Sequence, residues 1–335
     1  MRVKYLSSLF LVLIAGLSLL AGHMLLPLSA THAHQQRSAT TKGMLQILPK
    51  AVSLRRNAAN LSVHAWSTVP TTTSLYEATT DAQTMYNQGC NAAHAAAGLV
   101  ILDWGQPVYL GNGVYGTYDF GGHDDSDTAI LHAGANFALG VWACRTSSTN
   151  IALALGESNY YSGNALPLTQ AAWYADGQQW GYLVNSLNSY VVNNRYTSVL
   201  GIYGAGDLET GWQGFALTSS IVNGYNNTSS RVYFDFGDDA PGNWTNYQTW
   251  YIAYGAPDNL PLPEIYYNAD ATYDWQVLNN WSCSYMGGPM YIRGVMSTFI
   301  GNTPAQAWSA MYQATASNSC TAKILPWMTF STYML

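Results

Sequence analysis

The chain has 335 residues, 48% hydrophobic and 13% aromatic but only 9% charged, with a formal net charge of −6. Charge is segregated: of 12 basic residues only five follow Glu77, and they face all 18 acids, a local net of −13. A core of that sign repels phosphate backbones, which excludes nucleic acid as a partner.

In chain order, Arg2 and Lys4 precede a long apolar stretch that ends in small residues up to Ala33. That order is the pattern of a secretory signal, residues 1–33, and an extracellular protein is expected. The apolar stretch is also long enough to span a bilayer, so an uncleaved membrane anchor is the competing reading. Residues 34–80 lack a sustained hydrophobic period and carry Arg37, Lys42, Lys50, Arg55 and Arg56 before the first acid. They read as a basic, largely disordered linker that can rest on an anionic membrane or wall surface. Residues 81–335 form the expected folded domain.

Four cysteines, Cys90, Cys144, Cys283 and Cys320, sit in a chain read as exported. Without a C-x-x-C pair or a histidine at ligand spacing, they suit two disulfides better than a metal cluster. Of three pairings, Cys90 with Cys144 and Cys283 with Cys320 are expected, because each pair flanks neighbouring elements.

Short, nearly unbroken apolar runs at 99–103, 137–143, 151–155, 199–203, 231–236, 250–254, 263–267 and 291–296 read as strands buried on both faces. Between them, Thr169 caps a helix with Trp173, Trp180, Leu183, Val184 and Leu187 on one face, and Thr303-Pro304 opens another. Helix signals around 212–225, 243–248 and 271–281 are weaker. Eight strands and about 250 residues suit a single-domain α/β fold, a TIM-like (β/α)8 barrel. An open doubly wound sheet is the alternative, disfavoured by the lack of a glycine-rich phosphate turn.

Chemistry in such a barrel gathers at the carboxyl ends of the strands. Acids recur there: Asp103, Glu157, Asp207 with Glu209, Asp235 with Asp238 and Asp239, and Asp258. Each taken alone can simply cap a following helix. Asp207 and Glu209 differ, because side chains two apart on a strand share a face about 6.6 Å apart. Paired carboxylates at that range can divide one proton between them, the arrangement glycoside hydrolysis uses. Trp104, Tyr160, Trp212 and Tyr254 lie near strand ends as platforms for sugar rings, with Asp235 as a further substrate contact.

Other chemistry is poorly served. The segment 121–127, Gly-Gly-His-Asp-Asp-Ser-Asp, lacks the spacing and distal glutamate of a calcium loop and reads as a turn into a helix capped by Asp125 or Ser126. There is no Gly-x-Ser-x-Gly elbow. No cofactor and no metal site is expected.

The acid of the first predicted strand with its polar turn, Asp103-Trp104-Gly105-Gln106-Pro107, and the Asp-x-Glu closing the fourth resemble the family 25 glycoside hydrolases, the secreted muramidases. The run Trp250-Tyr251-Ile252-Ala253-Tyr254 is similar to their tryptophan-led late strand. The resemblance implies Glu209 as general acid, Asp207 as the partner stabilising the reacting sugar, Asp103 as a substrate-orienting acid, and a polysaccharide such as peptidoglycan as substrate. The family's strand-one Asp-hydrophobic-Ser element is replaced here by Asp103-Trp104-Gly105. A non-catalytic carbohydrate-binding or cell-surface protein on the same barrel is the competing expectation.

Overall fold

The computed structural model describes residues 72–95, 98–161, 166–239, 242–292, 294–297 and 301–322. The expected signal segment and nearly all of the basic linker lie outside these residues. The elements run β1 (Thr72–Tyr76), α1 (Ala82–His94), β2 (Leu99–Asp103), β3 (Gln106–Gly111), β4 (Val114–Tyr118), β5 (Asp124–Ser126), α2 (Asp127–Cys144), β6 (Ile151–Ser158), α3 (Gln170–Asn193) and β7 (Leu200–Asp207). There follow α4 (Phe215–Thr228), β8 (Tyr233–Asp235), α5 (Asn246–Trp250), β9 (Asn259–Pro261), α6 (Gln276–Tyr285) and α7 (Pro304–Ala316). Two π-helical turns, Tyr251–Gly255 and Asp270–Trp275, extend α5 and lead into α6.

Six strands form one parallel sheet in sequential order, β1-β2-β6-β7-β8-β9, and a parallel bridge from Glu264 to Met296 continues it. Parallel neighbours need crossovers, and helices supply most of them. The sheet is curled but not closed among the described residues. Alternation along the strands shows why it curls. Val100, Leu102, Leu153, Leu155 and Ile202 pack outward under the helices, whereas Leu99, Ile101, Ala152, Ala154, Phe234, Leu260, Leu262 and Met296 join in a second cluster made almost wholly of the sheet's own residues. A face that buries itself without a covering helix layer must bend toward itself.

Helices α1 and α2 cross at two glycines. A Cβ on Gly89 would stand 2.0 Å from the Phe137 carbonyl oxygen, and one on Gly140 2.0 Å from that of Tyr86. Gly177 and Gly224 bring α3 and α4 together in the same reciprocal way. The Trp180 indole donates to the Leu155 carbonyl at 3.2 Å and seats α3 on the sheet. Both expected disulfides are present, Cys90–Cys144 and Cys283–Cys320, which fits an oxidising, extracellular setting. No helix among the described residues is long and apolar enough to cross a membrane.

The strand reading is corrected at several places. Residues 137–143 lie inside α2, whose first turn is capped by the Ser126 hydroxyl accepting from the Ala129 N–H at 3.3 Å. Their run is unbroken because apolar residues also stand on the helix's solvent side, Leu139 and Ala143 being exposed, and so mask the buried stripe of Ile130, Ala133, Phe137, Ala138 and Val141. Residues 250–254 end α5 and form its π-helical turn, downstream of a Thr245–Gln248 capping box. Among the described residues, 263–267 and 291–296 form no strand and meet in the Glu264–Met296 bridge. Conversely β1, read as part of the linker, is the first strand of the sheet. An antiparallel sheet of β3, β4 and β5 stands between β2 and α2, turning at Asn112-Gly113 with positive φ at both.

Candidate active site

Because all six strands run the same way, their carboxyl ends share one edge, and each end carries an acid. Glu77 follows β1, Asp103 closes β2, Glu157 is next to last in β6, Asp207 closes β7, Asp235 closes β8, and Glu264 follows β9. All six are buried. Among the described residues no arginine or lysine pairs with any of them, and Arg293 lies outside those residues.

The Asp-x-Glu pair does converge, joined by a third acid. Asp207, Glu209 and Glu264 each bring a carboxylate oxygen within 4.8 Å of the other two. Glu209 sits beyond the end of β7, and its placement comes from Asn159. The Asn159 side-chain oxygen accepts the Glu209 N–H at 2.9 Å, while its amide nitrogen donates to the Glu209 carbonyl at 2.9 Å and to the Thr218 hydroxyl on α4 at 3.0 Å. The Asn159 N–H donates in turn to the Asp207 carbonyl at 3.1 Å. One fully buried amide thus fixes the backbone on which the most accessible of the three acids is carried.

Burial sets the electrostatics. Glu209, half-buried, is pushed up to about 7 by desolvation and then by the charge of Asp238. Asp207 is raised well above the usual carboxylate range by burial and by Glu264, Asp103, Glu209 and Asp235 around it. Burial likewise raises Glu264, against a hydrogen bond from Tyr266. Asp103 rises to about 7 by burial, opposed by the Gly105 N–H that donates to its Oδ1 at 3.0 Å. Asp235 rises to about 8, opposed by the N–H groups of Gly237 and Leu208. Such a rim holds protons near neutral pH, the condition for a carboxylic acid to protonate a leaving oxygen.

The aromatic residues divide. Tyr160 is exposed and meets the half-buried Trp212 edge-on at 5.3 Å; Tyr160 directly follows Asn159, and the Trp212 N–H donates to the Glu209 carbonyl at 3.4 Å. Trp104 is fully enclosed in the core and offers no face to a sugar. Tyr254 is partly buried between Trp250 and Tyr291. Asp103 and Asp235 lie on the same edge, outside the close trio but near enough to raise Asp207. In segment 121–127 the turn reading holds, with Asp119 accepting the His123 N–H at 2.7 Å and Ser126 capping α2.

Sequence reasoning passed over Glu264, which fell inside the expected strand 263–267; the strand lies earlier, at Asn259–Pro261, so Glu264 belongs to the edge beyond it. It also passed over Asn159. The signal available for it was its place directly after the β6 acid, in Glu157-Ser158-Asn159.

No protein-family model and no curated protein matches the sequence. Among solved structures, one described as a mandelate racemase/muconate lactonizing enzyme from Labrenzia alexandrii aligns at 10% identity and a TM-score of 0.30. That alignment covers 79% of this chain and spans 55% of the other's length. An endo-1,4-beta-mannanase from Rhizomucor miehei aligns at 11% identity and a TM-score of 0.37, covering 79% and 85% of the two chains. Likenesses of that extent assign neither fold nor activity.

Proposed function

We propose that the protein is a secreted glycoside hydrolase-like protein on a TIM-like barrel, hydrolysing a polysaccharide such as peptidoglycan with Glu209 as general acid. The observation that carries this reading is the meeting of the Asp207, Glu209 and Glu264 carboxylates at the carboxyl edge of the sheet, beside Tyr160 and Trp212. Glu209, the most accessible of the three, gives its proton to the leaving glycosidic oxygen. Asp207 and Glu264 share one proton, and the charge left on the pair stabilises the oxocarbenium-like sugar until water adds to it. Asp103 and Asp235 orient the substrate from neighbouring strands. The signal over 1–33 exports the chain, and the basic segment of residues 37–56 tethers it to an anionic wall or membrane surface.

Glu209→Gln tests the assignment. Release of reducing sugar from peptidoglycan and related glycans is expected to vanish while the melting temperature stays within a few degrees. Undiminished turnover overturns it. A second reading, a non-catalytic glycan-binding protein, is favoured by the enclosure of Asp207 and Glu264, which are 6% and 4% exposed. It is distinguished by glycan binding without turnover that is lost in Trp212→Ala.

A further inference from the structure

Three carboxylates with oxygens within 4.8 Å of one another repel strongly wherever water is excluded. No arginine or lysine among the described residues relieves them. Asp207 is 6% exposed, and its Oδ1 has no hydrogen-bond partner; Glu264 is 4% exposed, and its Oε2 has none. On the flanking strands, Asp103 Oδ2 and Asp235 Oδ1 are enclosed and unpartnered as well. Buried acceptors left without donors are costly, and so many on one edge call for a shared positive partner.

The donor set indicates which partner. All the atoms are hard carboxylate oxygens, with no nitrogen or sulfur among them, which selects calcium or magnesium over zinc or copper. Two oxygens bound to one calcium at about 2.3–2.6 Å stand at most about 5 Å apart, so the spacing already suits a common ion. We infer that Asp207, Glu209 and Glu264 form a binding site for a single hard divalent cation, reached from the Glu209 side. No sequence spacing marks such a site, because Glu209 and Glu264 are 55 residues apart. The ion joins the end of β7 to the segment after β9. If Glu209 is also the acid proposed above, a bound ion occupies its carboxylate and suppresses hydrolysis; the cation site itself does not depend on that reading.

The test is calorimetric titration of calcium and of magnesium into the chelator-treated full chain, with terbium luminescence sensitised by neighbouring tyrosines as a second readout. One ion per chain is expected, weakened at least about tenfold in Glu264→Gln and in Glu209→Gln, and unchanged in Asp124→Asn on the exposed β5. Circular dichroism melts confirm folding, and Glu209→Gln, altered at a half-buried side chain, serves if Glu264→Gln does not fold. Absence of saturable binding by either ion to the folded wild type overturns the inference, as does binding undiminished in both variants. Sugar release by the chelator-treated protein separates the two proposals. Hydrolysis without ion binding defeats the cation site alone, and ion binding without hydrolysis in chelator or metal defeats the hydrolase alone.

Discussion

The two halves of the molecule are built by different means. From β1 to β7 the strands reach eight residues, and the helices over them cross in glycine-matched pairs, so backbone meets backbone. From β8 onward the strands shrink to three residues and then to one bridge, two helical turns widen to π geometry, and a separate apolar cluster forms around Trp275, Met290 and Met311. Side-chain amides bind this second half. Asn279 accepts the Met290 N–H at 2.8 Å, Gln276 donates to the Ala314 carbonyl at 2.6 Å, and Asn318 donates to Asn280 at 2.8 Å. Register along eight-residue strands places Asp207 in the first half; in the second, a backbone bridge to Met296 places Glu264. The candidate site draws Asp207 from one and Glu264 from the other.

The sharpest way to break this contrast is to remove each disulfide. Cys90→Ser/Cys144→Ser and Cys283→Ser/Cys320→Ser close loops of similar size, 54 and 37 residues apart, and each is expected to cost about 2–5 kcal/mol in denaturant melts. Hydrogen exchange should differ. Loss of the second pair exposes amides of α6 and α7, whereas loss of the first leaves α1 and α2 protected by their glycine crossing. Equal protection in both helix pairs would abolish the distinction.

A smaller effect probes the crossing itself. Gly89→Ala forces a methyl against a carbonyl oxygen that cannot withdraw, and a loss of about 1–3 kcal/mol is expected. Gly288→Ala, with open space around it, should change stability by only about half a kcal/mol or less.

A test read per pH unit concerns Glu77, the acid after β1. Burial raises it from 4.5 to about 8, opposed by a hydrogen bond from Gln88 at 3.1 Å and reinforced by Asp103 and Asp119. The folded chain then keeps a proton that the unfolded chain releases. Its contribution is complete below pH 4.5 and is lost as pH rises toward 8. Glu77→Gln removes that titration, and its stability should fall less steeply across the window, by up to about 1 kcal/mol per pH unit. Parallel melting profiles for the two proteins would show that Glu77 does not titrate there.

How much of this was legible follows the same division. Strands β2, β6 and β7 announced themselves as buried apolar runs, Thr169 and Thr303 marked α3 and α7, and the cysteine pairing followed from neighbouring elements. The Asp207–Glu209 pair was legible, although an overlooked strand, β1, and a false one at 137–143 cancelled in reaching its place as fourth in the large sheet. Strand β1 was hidden because Thr72-Thr73-Ser74 is polar, as a strand at the end of the sheet's order allows. Helix α2 was hidden because exposed apolar residues, Leu139 and Ala143, fill the gaps in its buried stripe. Glu264 was hidden because the strand was expected at 263–267 and lies instead at Asn259–Pro261, a placement that tertiary packing decides.

Asn159 carries a practical consequence. One amide spans the end of β6, the backbone of Glu209 and the Thr218 hydroxyl of α4, so a displacement of that helix is passed to the acid without any change at the rim itself. Libraries aimed at altering this protein's ligand preference should therefore hold positions 159 and 218 constant and diversify 160 and 212, where the rings reach solvent and nothing downstream hangs from them.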